Sequence, residues 1–303
     1  METKSKVSYY RVNKNRYAKN GMMVLTILAC SLIVLIVVGL TIRSAPILFS
    51  RPLSELLFST EWKPFKGQFG FAPFIVGTFA VTGVAVVIAV PLCLLTAIYL
   101  SEYASSRVTR FVNPFIDVLS GIPSIIFGVW GILLVVPFIS KYIAPLFNVS
   151  SNGYTVLAGG LVLSIMIFPI IINVLLEVFK TVPNEMKDAS LSLGATKWQT
   201  VKKVLLKRAL PGVIAAFVLG LSRAFGETMA VLMVTGNVSK LPKSLMDPTY
   251  TLPSLIANNY GEMLSIPMYD SALLLASLIL LMIILFFNII SRIILVKIER
   301  NYQ

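Results

Sequence analysis

Lys187–Pro211 reads KDASLSLGATKWQTVKKVLLKRALP and is the longest polar interruption between apolar segments in the second half of the chain. It carries six Lys/Arg: Lys187, Lys197, Lys202, Lys203, Lys207 and Arg208. Trp198, Val201, Val204 and Leu205 recur at helical spacing, with Lys202, Lys203 and Lys207 largely on the opposite face. Pro183 stands just ahead, and Asn184 is placed to cap a helix. A short amphipathic helix between two membrane spans suits docking into a groove on another protein, or lying flat on lipid.

On either side of this stretch the chain is apolar. Of its 303 residues 57% are hydrophobic and only 13% charged, with a mean hydropathy of +0.86. A soluble domain of this size carries about twice that charge. Runs of roughly twenty apolar residues recur along the chain, and with no alternating barrel pattern they predict an all-α, polytopic membrane protein. Six spans are expected in one transmembrane unit, 21–298, at about 22–42, 72–100, 114–138, 154–179, 211–236 and 269–296. Basic tails, 1–20 and 299–303, flank them, and the loop 180–210 joins spans four and five. The first run is too long for a secretory signal and lacks a small-residue cleavage site, so it reads as an uncleaved span. Counting Arg292 with the C-terminal tail, 18 of the 26 Lys/Arg fall on the side of the two tails and the 180–210 loop, and 6 on the other. The positive-inside rule then puts both termini and the amphipathic helix in the cytoplasm of a bacterial-type plasma membrane.

Several function classes are excluded. The net charge of +13 sits in loops and tails, without the aromatic interleaving of a nucleic-acid face. The absence of His removes imidazole acid–base chemistry and every His-containing metal site. Cys30 and Cys93 lie in apolar runs without a CxxC spacing, and no metal site is expected. No GxxxxGK[ST] loop is present, so the chain does not itself bind ATP in the P-loop manner, and no cofactor is expected.

Charge inside a span is where chemistry is sought. Arg223 and Glu227 stand in LGLSRAFGETMAVLMV of span five. Twelve residues from Pro211, at 1.5 Å each, places Arg223 roughly 18 Å into a ~30 Å core. A charge at that depth costs ~2.5–3.5 kcal/mol on insertion scales, and such residues mark pathways. Four-residue spacing predicts both groups on one helix face, close enough to pair. Ser222, Ala224, Gly226 and Thr228 surround them with small or polar side chains. The functional reading is an anion site in which Arg223 offers a fork of donors to an oxyanion and Glu227 screens it. The competing reading is a structural ion pair. In span three, SGIPS at Ser120, Gly121, Ile122, Pro123 and Ser124 predicts a kink, close backbone approach and two hydroxyl donors. There too, serines that bond back to their own helix are the alternative. Asp117 reads as an interfacial polar residue.

The loop details carry a resemblance. Asp188-Ala189-Ser190, followed by Gly194 and Ala195 and then by the apolar Val204 and Leu206, is similar to the EAA loop of ABC importer permeases. Asp and Ser replace Glu and the second Ala, and Lys207 stands where a Pro is common. The stretches LLFSTEWKPFKGQFGFAPFIVGT, VPLCLLTAIYLSEYA, LSGIPSIIFGVWG, SLGATKWQTVKKVLL and SRAFGETMAVLMVTGN extend it over nearly the whole chain. The chain resembles the PstC-type permeases of the phosphate-specific ABC transport system. The resemblance implies a permease subunit, not an enzyme. ATP would be bound by a separate PstB-type ATPase dimer, coupled through Asp188, Ala189, Ser190, Gly194, Ala195 and Trp198. It also implies a PstA-type sister permease, an external PstS-type phosphate-binding protein and a PhoU-like regulator. The family's functional Arg and Glu fall on Arg223 and Glu227. A permease for sulfate or molybdate, or a secondary anion transporter, are the alternatives.

Overall fold

The computed structural model describes residues 2–262 and 266–302. Helix α1, Glu2–Ser50, includes Asn15–Ser50, which is apolar and long enough to cross a membrane. It outruns the expected span 22–42 at both ends and continues past Pro46. None of its most apolar window is buried by the rest of the chain. Among the residues whose burial is described, those it buries are Ser44 and Ile47, near its end.

The loop expected over 44–70 is largely ordered. After α2, Leu53–Phe58, a two-stranded antiparallel hairpin pairs β1, Trp62–Lys63, with β2, Gln68–Phe69. It is a small addition to an otherwise helical fold. The Trp62 ring lies 5.5, 5.5, 5.0 and 6.2 Å from the rings of Phe69, Phe71, Phe74 and Tyr269. These rings belong to a compact core at one end of the molecule, with Ile47, Leu56, Leu252 and Leu255.

Helix α3, Ala72–Ile98, runs through Pro91 and continues as a π-helical turn, Tyr99–Tyr103. The next stretch departs from expectation. A single span over 114–138 is replaced by two helices, α4, Ser106–Gly121, and the membrane-length α5, Ser124–Leu146. Ile122 and Pro123 between them are extended (φ/ψ −69/128 and −58/140). Pro123 has no N–H to donate and drives the preceding residue out of the helical region. Helix α4 is therefore amphipathic rather than spanning, with Ile116 buried and Asp117 Oδ1 accepting from Asn173 Nδ2 at 3.1 Å.

Helix α6, Val156–Lys180, is the axis of the bundle and the most buried of the candidate spans. Thr155 caps it, accepting from the Ala158 N–H at 3.1 Å. It lies against α3 at close range: a Cβ on Gly160 would sit 2.3 Å from Val84 Cγ1. Small residues let two backbones approach in lipid, where packing rather than water expulsion drives association. Helix α7, Asn184–Ser192, forms the loop, and α8, Lys197–Gly226, crosses next. Span five thus starts well before the expected 211. It stops at Gly226, and the short α9, Met229–Val234, resumes after a break. The expected loop 237–268 contains α10, Leu252–Asn259, capped by Thr251. There burial pushes the Tyr250 phenol up, against the lowering effect of amide donors from Asn258 and Asn259. Helix α11, Tyr269–Tyr302, completes the set of six helices long and apolar enough to cross a membrane among the described residues.

Candidate functional site

The break in span five is built by three adjacent residues. Gly226 is a poor helix former, and Glu227 adopts an extended backbone (φ −72, ψ 129). The Glu227 Oε1 accepts from the Ala230 N–H at 3.2 Å, and the Thr228 carbonyl accepts from the Leu232 N–H at 2.9 Å. The Glu227 carboxylate therefore caps the start of α9, while Arg223 occupies the last turn of α8. An anion at a helix start and a cation at a helix end each meet a favourable backbone dipole.

This arrangement corrects the expected pairing of Arg223 with Glu227. The helix ends between them, so the four-residue spacing no longer places them on one face. Among the described residues no ion pair joins them. Arg223 is exposed on the outside of this chain. Glu227 is half-buried and lines a small internal cavity of about 10 Å³ with Thr78, Thr82 and Thr251. Thr228, also half-buried, donates its hydroxyl to the Gly226 carbonyl at 3.3 Å.

The helix that follows the SGIPS break packs against the helix that follows the break in span five. Helix α9 packs on the start of α5: a Cβ on Gly128 would meet Ala230 Cα at 3.2 Å, and one on Gly131 would meet Val234 Cγ1 at 2.7 Å. Ser120, Gly121 and Pro123 are exposed and Ser124 is half-buried. The Ser120 hydroxyl donates to the Asp117 carbonyl at 2.8 Å, so it bonds back into its own helix.

The polar loop is two helices joined by a tight corner. Pro183, not Asn184, holds the cap position of α7. At its end the Ala195 N–H donates to the Ser190 carbonyl at 3.3 Å and the Gly194 N–H to the Leu191 carbonyl at 2.9 Å. This is the pairing of a Schellman ending, and it needs a left-handed residue, which Gly194 supplies at φ +84. Thr196 then starts α8 in a capping box: Gln199 N–H donates to Thr196 Oγ1 at 3.3 Å, and Thr196 N–H to Gln199 Oε1 at 2.8 Å. The apolar face expected over 198–205 is the buried side of α8 at Val201 and Leu205, with Lys202, Lys203 and Lys207 exposed. Trp198 does not join it and is 52% exposed. Asp188, Ala189 and Gly194 are exposed; Ser190 and Ala195 are half-buried. Ser190 Oγ lies 3.0 Å from Thr200 Oγ1.

Sequence reasoning missed three features of this corner. Leu193, at the tip, is 89% exposed beside the exposed Leu191 and Met186. Lys187 Nζ reaches Glu102 Oε1 at 2.6 Å, and both side chains are largely buried. Lys197 Nζ stands 4.9 Å over the Tyr103 ring. The loop is thereby fastened to the end of α3.

Comparison with known proteins agrees with this architecture. The chain is 38% identical over 261 residues to the phosphate transport system permease protein PstC of Xylella fastidiosa (strain 9a5c), covering 82% of this chain and 80% of that one. It is also 38% identical over 261 residues to the probable ABC transporter permease protein YqgH of Bacillus subtilis (strain 168), covering 83% and 82%. Among solved structures, a bacterial ABC transporter involved in import of the acidic polysaccharide alginate shares the fold, with TM-score 0.56 and 13% identity over 84% of this chain and 87% of that one. The profile described as binding-protein-dependent transport system inner membrane component matches residues 89–302. The six-helix bundle and its capped polar loop are therefore those of a permease subunit, and the chain belongs to the family of binding-protein-dependent transport system inner membrane components.

Proposed function

We propose that this chain is half of the translocation pathway of an ATP-driven inorganic phosphate importer, working by alternating access. The observation that carries the reading is Arg223: a guanidinium in the last turn of α8, exposed beside the helix break at Gly226–Thr228. A guanidinium presents a planar fork of donors that suits a phosphate oxygen pair. Exposure on this chain's own surface suits a pathway completed by a second subunit. The relatives named as phosphate transport permeases support the choice of anion.

In this reading a PstA-type permease supplies the other half, and an external PstS-type binding protein delivers phosphate. A PstB-type ATPase dimer receives the exposed corner at Asp188, Ala189, Ser190, Gly194, Ala195 and Trp198, and a PhoU-like regulator associates with the complex. ATP is bound by that dimer. Both termini and the corner lie in the cytoplasm of a bacterial plasma membrane, as the Lys/Arg distribution favours. Ser124 and Thr228 flank the route, and Glu227 shapes it by holding the break open. Exposure of Arg223 favours brief charge compensation over tight capture, so release is not slowed. The test is uptake of labelled phosphate by cells carrying the complex, with excess sulfate or molybdate as competitor. Undiminished phosphate uptake supports the assignment; displacement by either competitor reassigns the substrate to that anion.

A further inference from the structure

Helix α4 joins the end of α3 to the start of α5. Its 16 residues reach about 24 Å, too short to cross a ~30 Å core. Part of its apolar side is used within the chain: α4 lies against α6, Ile116 is buried in the core and Val112 packs on that core. Beside them runs a second stripe. Val108, Phe111, Phe115 and Val118 follow at three- and four-residue intervals, with Leu119 adjoining. All five are exposed, Phe111 at 68% and Phe115 at 56%, with those two rings 4.9 Å apart. A contiguous apolar stripe of this kind marks a contact surface. Ser106, Arg110 and Asp117 lie on the opposite side of the helix, and Arg107, four residues before Phe111, stands at the border of the stripe.

Neighbouring helices set the depth of α4. Glu177 and Lys180 form an exposed ion pair at 2.7 Å at the end of α6, as groups at the water level do. Asn173, which donates to Asp117 Oδ1 at 3.1 Å, is one turn, about 6 Å, below Glu177. The later half of α4 therefore lies at the ~5–10 Å to which interfacial helices bury their apolar side. The start of α4 is shallower. It follows Tyr103, which Lys197 of the polar corner covers at 4.9 Å.

Charge completes the pattern. Arg107 and Arg110 are exposed, and neither has an ion-pair partner among the described residues. No acidic residue stands between Glu102 and Asp117. Long cationic side chains beside an apolar stripe lay their stems along it and carry their charge to the headgroup level. A protein partner would have to supply a groove and acidic groups together. An anionic leaflet supplies hydrocarbon for the rings and phosphate for the guanidiniums at the depth observed.

We propose that α4 is an interfacial helix that docks anionic phospholipid. The stripe from Val108 to Leu119 lies in the acyl-chain boundary of the leaflet beside the polar corner. Arg107 and Arg110 hold the phosphate groups of its headgroups. This surface depends on the bundle spanning the membrane and not on which solute it transports.

The test uses the full-length chain in vesicles of equimolar phosphatidylcholine and phosphatidylglycerol. Cys30→Ser removes the exposed thiol, Cys93 stays buried, and Phe115→Cys carries a bimane fluorophore. Three quenchers are compared: phosphatidylglycerol with a nitroxide on its acyl chain, phosphatidylcholine with the same nitroxide, and aqueous iodide. Either lipid should quench more than iodide, and phosphatidylglycerol more than phosphatidylcholine, by up to about fivefold per guanidinium. Arg107→Gln with Arg110→Gln should bring the two lipids level, whereas Arg107→Lys with Arg110→Lys keeps the charge and should keep most of the preference. Quenching mainly by iodide overturns the proposal. So does equal quenching by the two lipids in the chain that retains both arginines, or a preference that survives the Gln pair. Lipid quenching that is lost when the chain is reconstituted with its partner subunits shows that protein covers the stripe, and overturns it as well.

Discussion

Lys187 in α7 and Glu102 at the end of α3, 85 residues apart in sequence, meet at 2.6 Å in a largely buried ion pair. With Lys197 over Tyr103 and Ser190 against Thr200, this contact fastens the corner to the end of α3 and the start of α8. Removing one member of a buried pair leaves the other charge uncompensated, at about 3 kcal/mol. Glu102→Gln or Lys187→Met should therefore lower the melting temperature of the purified complex and cut phosphate transported per ATP hydrolysed. Exchanging the two charges should restore much of both. Transport per ATP that is unchanged in the single variants would show the contact to be mechanically idle.

Gly194 permits a different experiment. Nothing lies within 4 Å of a Cβ placed there, so a side chain meets no clash within this chain. Its φ of +84 nevertheless costs an L-residue about 1–2 kcal/mol. Gly194→Val should leave the transmembrane bundle folded, yet weaken retention of the ATPase on affinity purification. Full retention with normal transport would remove the corner from the coupling surface.

Arg223→Gln should abolish phosphate uptake while the permease still assembles with its partners. Arg223→Lys keeps the charge and loses the fork, so it should retain only a fraction of the rate. Initial rates of labelled phosphate uptake, normalised to complex in the membrane, decide this. A normal rate in the Gln variant takes Arg223 off the route.

Glu227 separates charge from capping. Glu227→Gln keeps an acceptor for the Ala230 N–H, whereas Glu227→Ala loses it, at about 1 kcal/mol by analogy with other helix caps. Thermal unfolding should place the Ala variant below the Gln variant. Equal melting temperatures for both would mean that the cap contributes nothing to the break.

The number of spans was legible because twenty apolar residues in a row are a strong signal, and lipid leaves the backbone few options. The two breaks were legible only in part. Pro123 announces an interruption, but the separate α4 before it carries enough apolar residues to merge with α5 in a hydropathy reading. In span five, Met229–Val234 continues the apolar run past Gly226, so the end of α8 there is invisible without the Glu227 cap. Arg223 and Glu227 were found because charge is rare in apolar sequence; their separation was missed because spacing presumes an unbroken helix. The Glu102–Lys187 contact left no trace, since neither residue is unusual where it stands.

The chain has three tryptophans, and folding distributes them along its length. Trp62 is enclosed by four aromatic rings at one end, Trp198 is 52% exposed on the corner at the other, and Trp130, 40% exposed, lies in α5 between them. Indole emission moves to longer wavelength as water gains access. Variants that keep one tryptophan at a time would make each level of the molecule its own optical gauge, so the order in which a transport cycle disturbs the ends and the middle becomes readable without an added label.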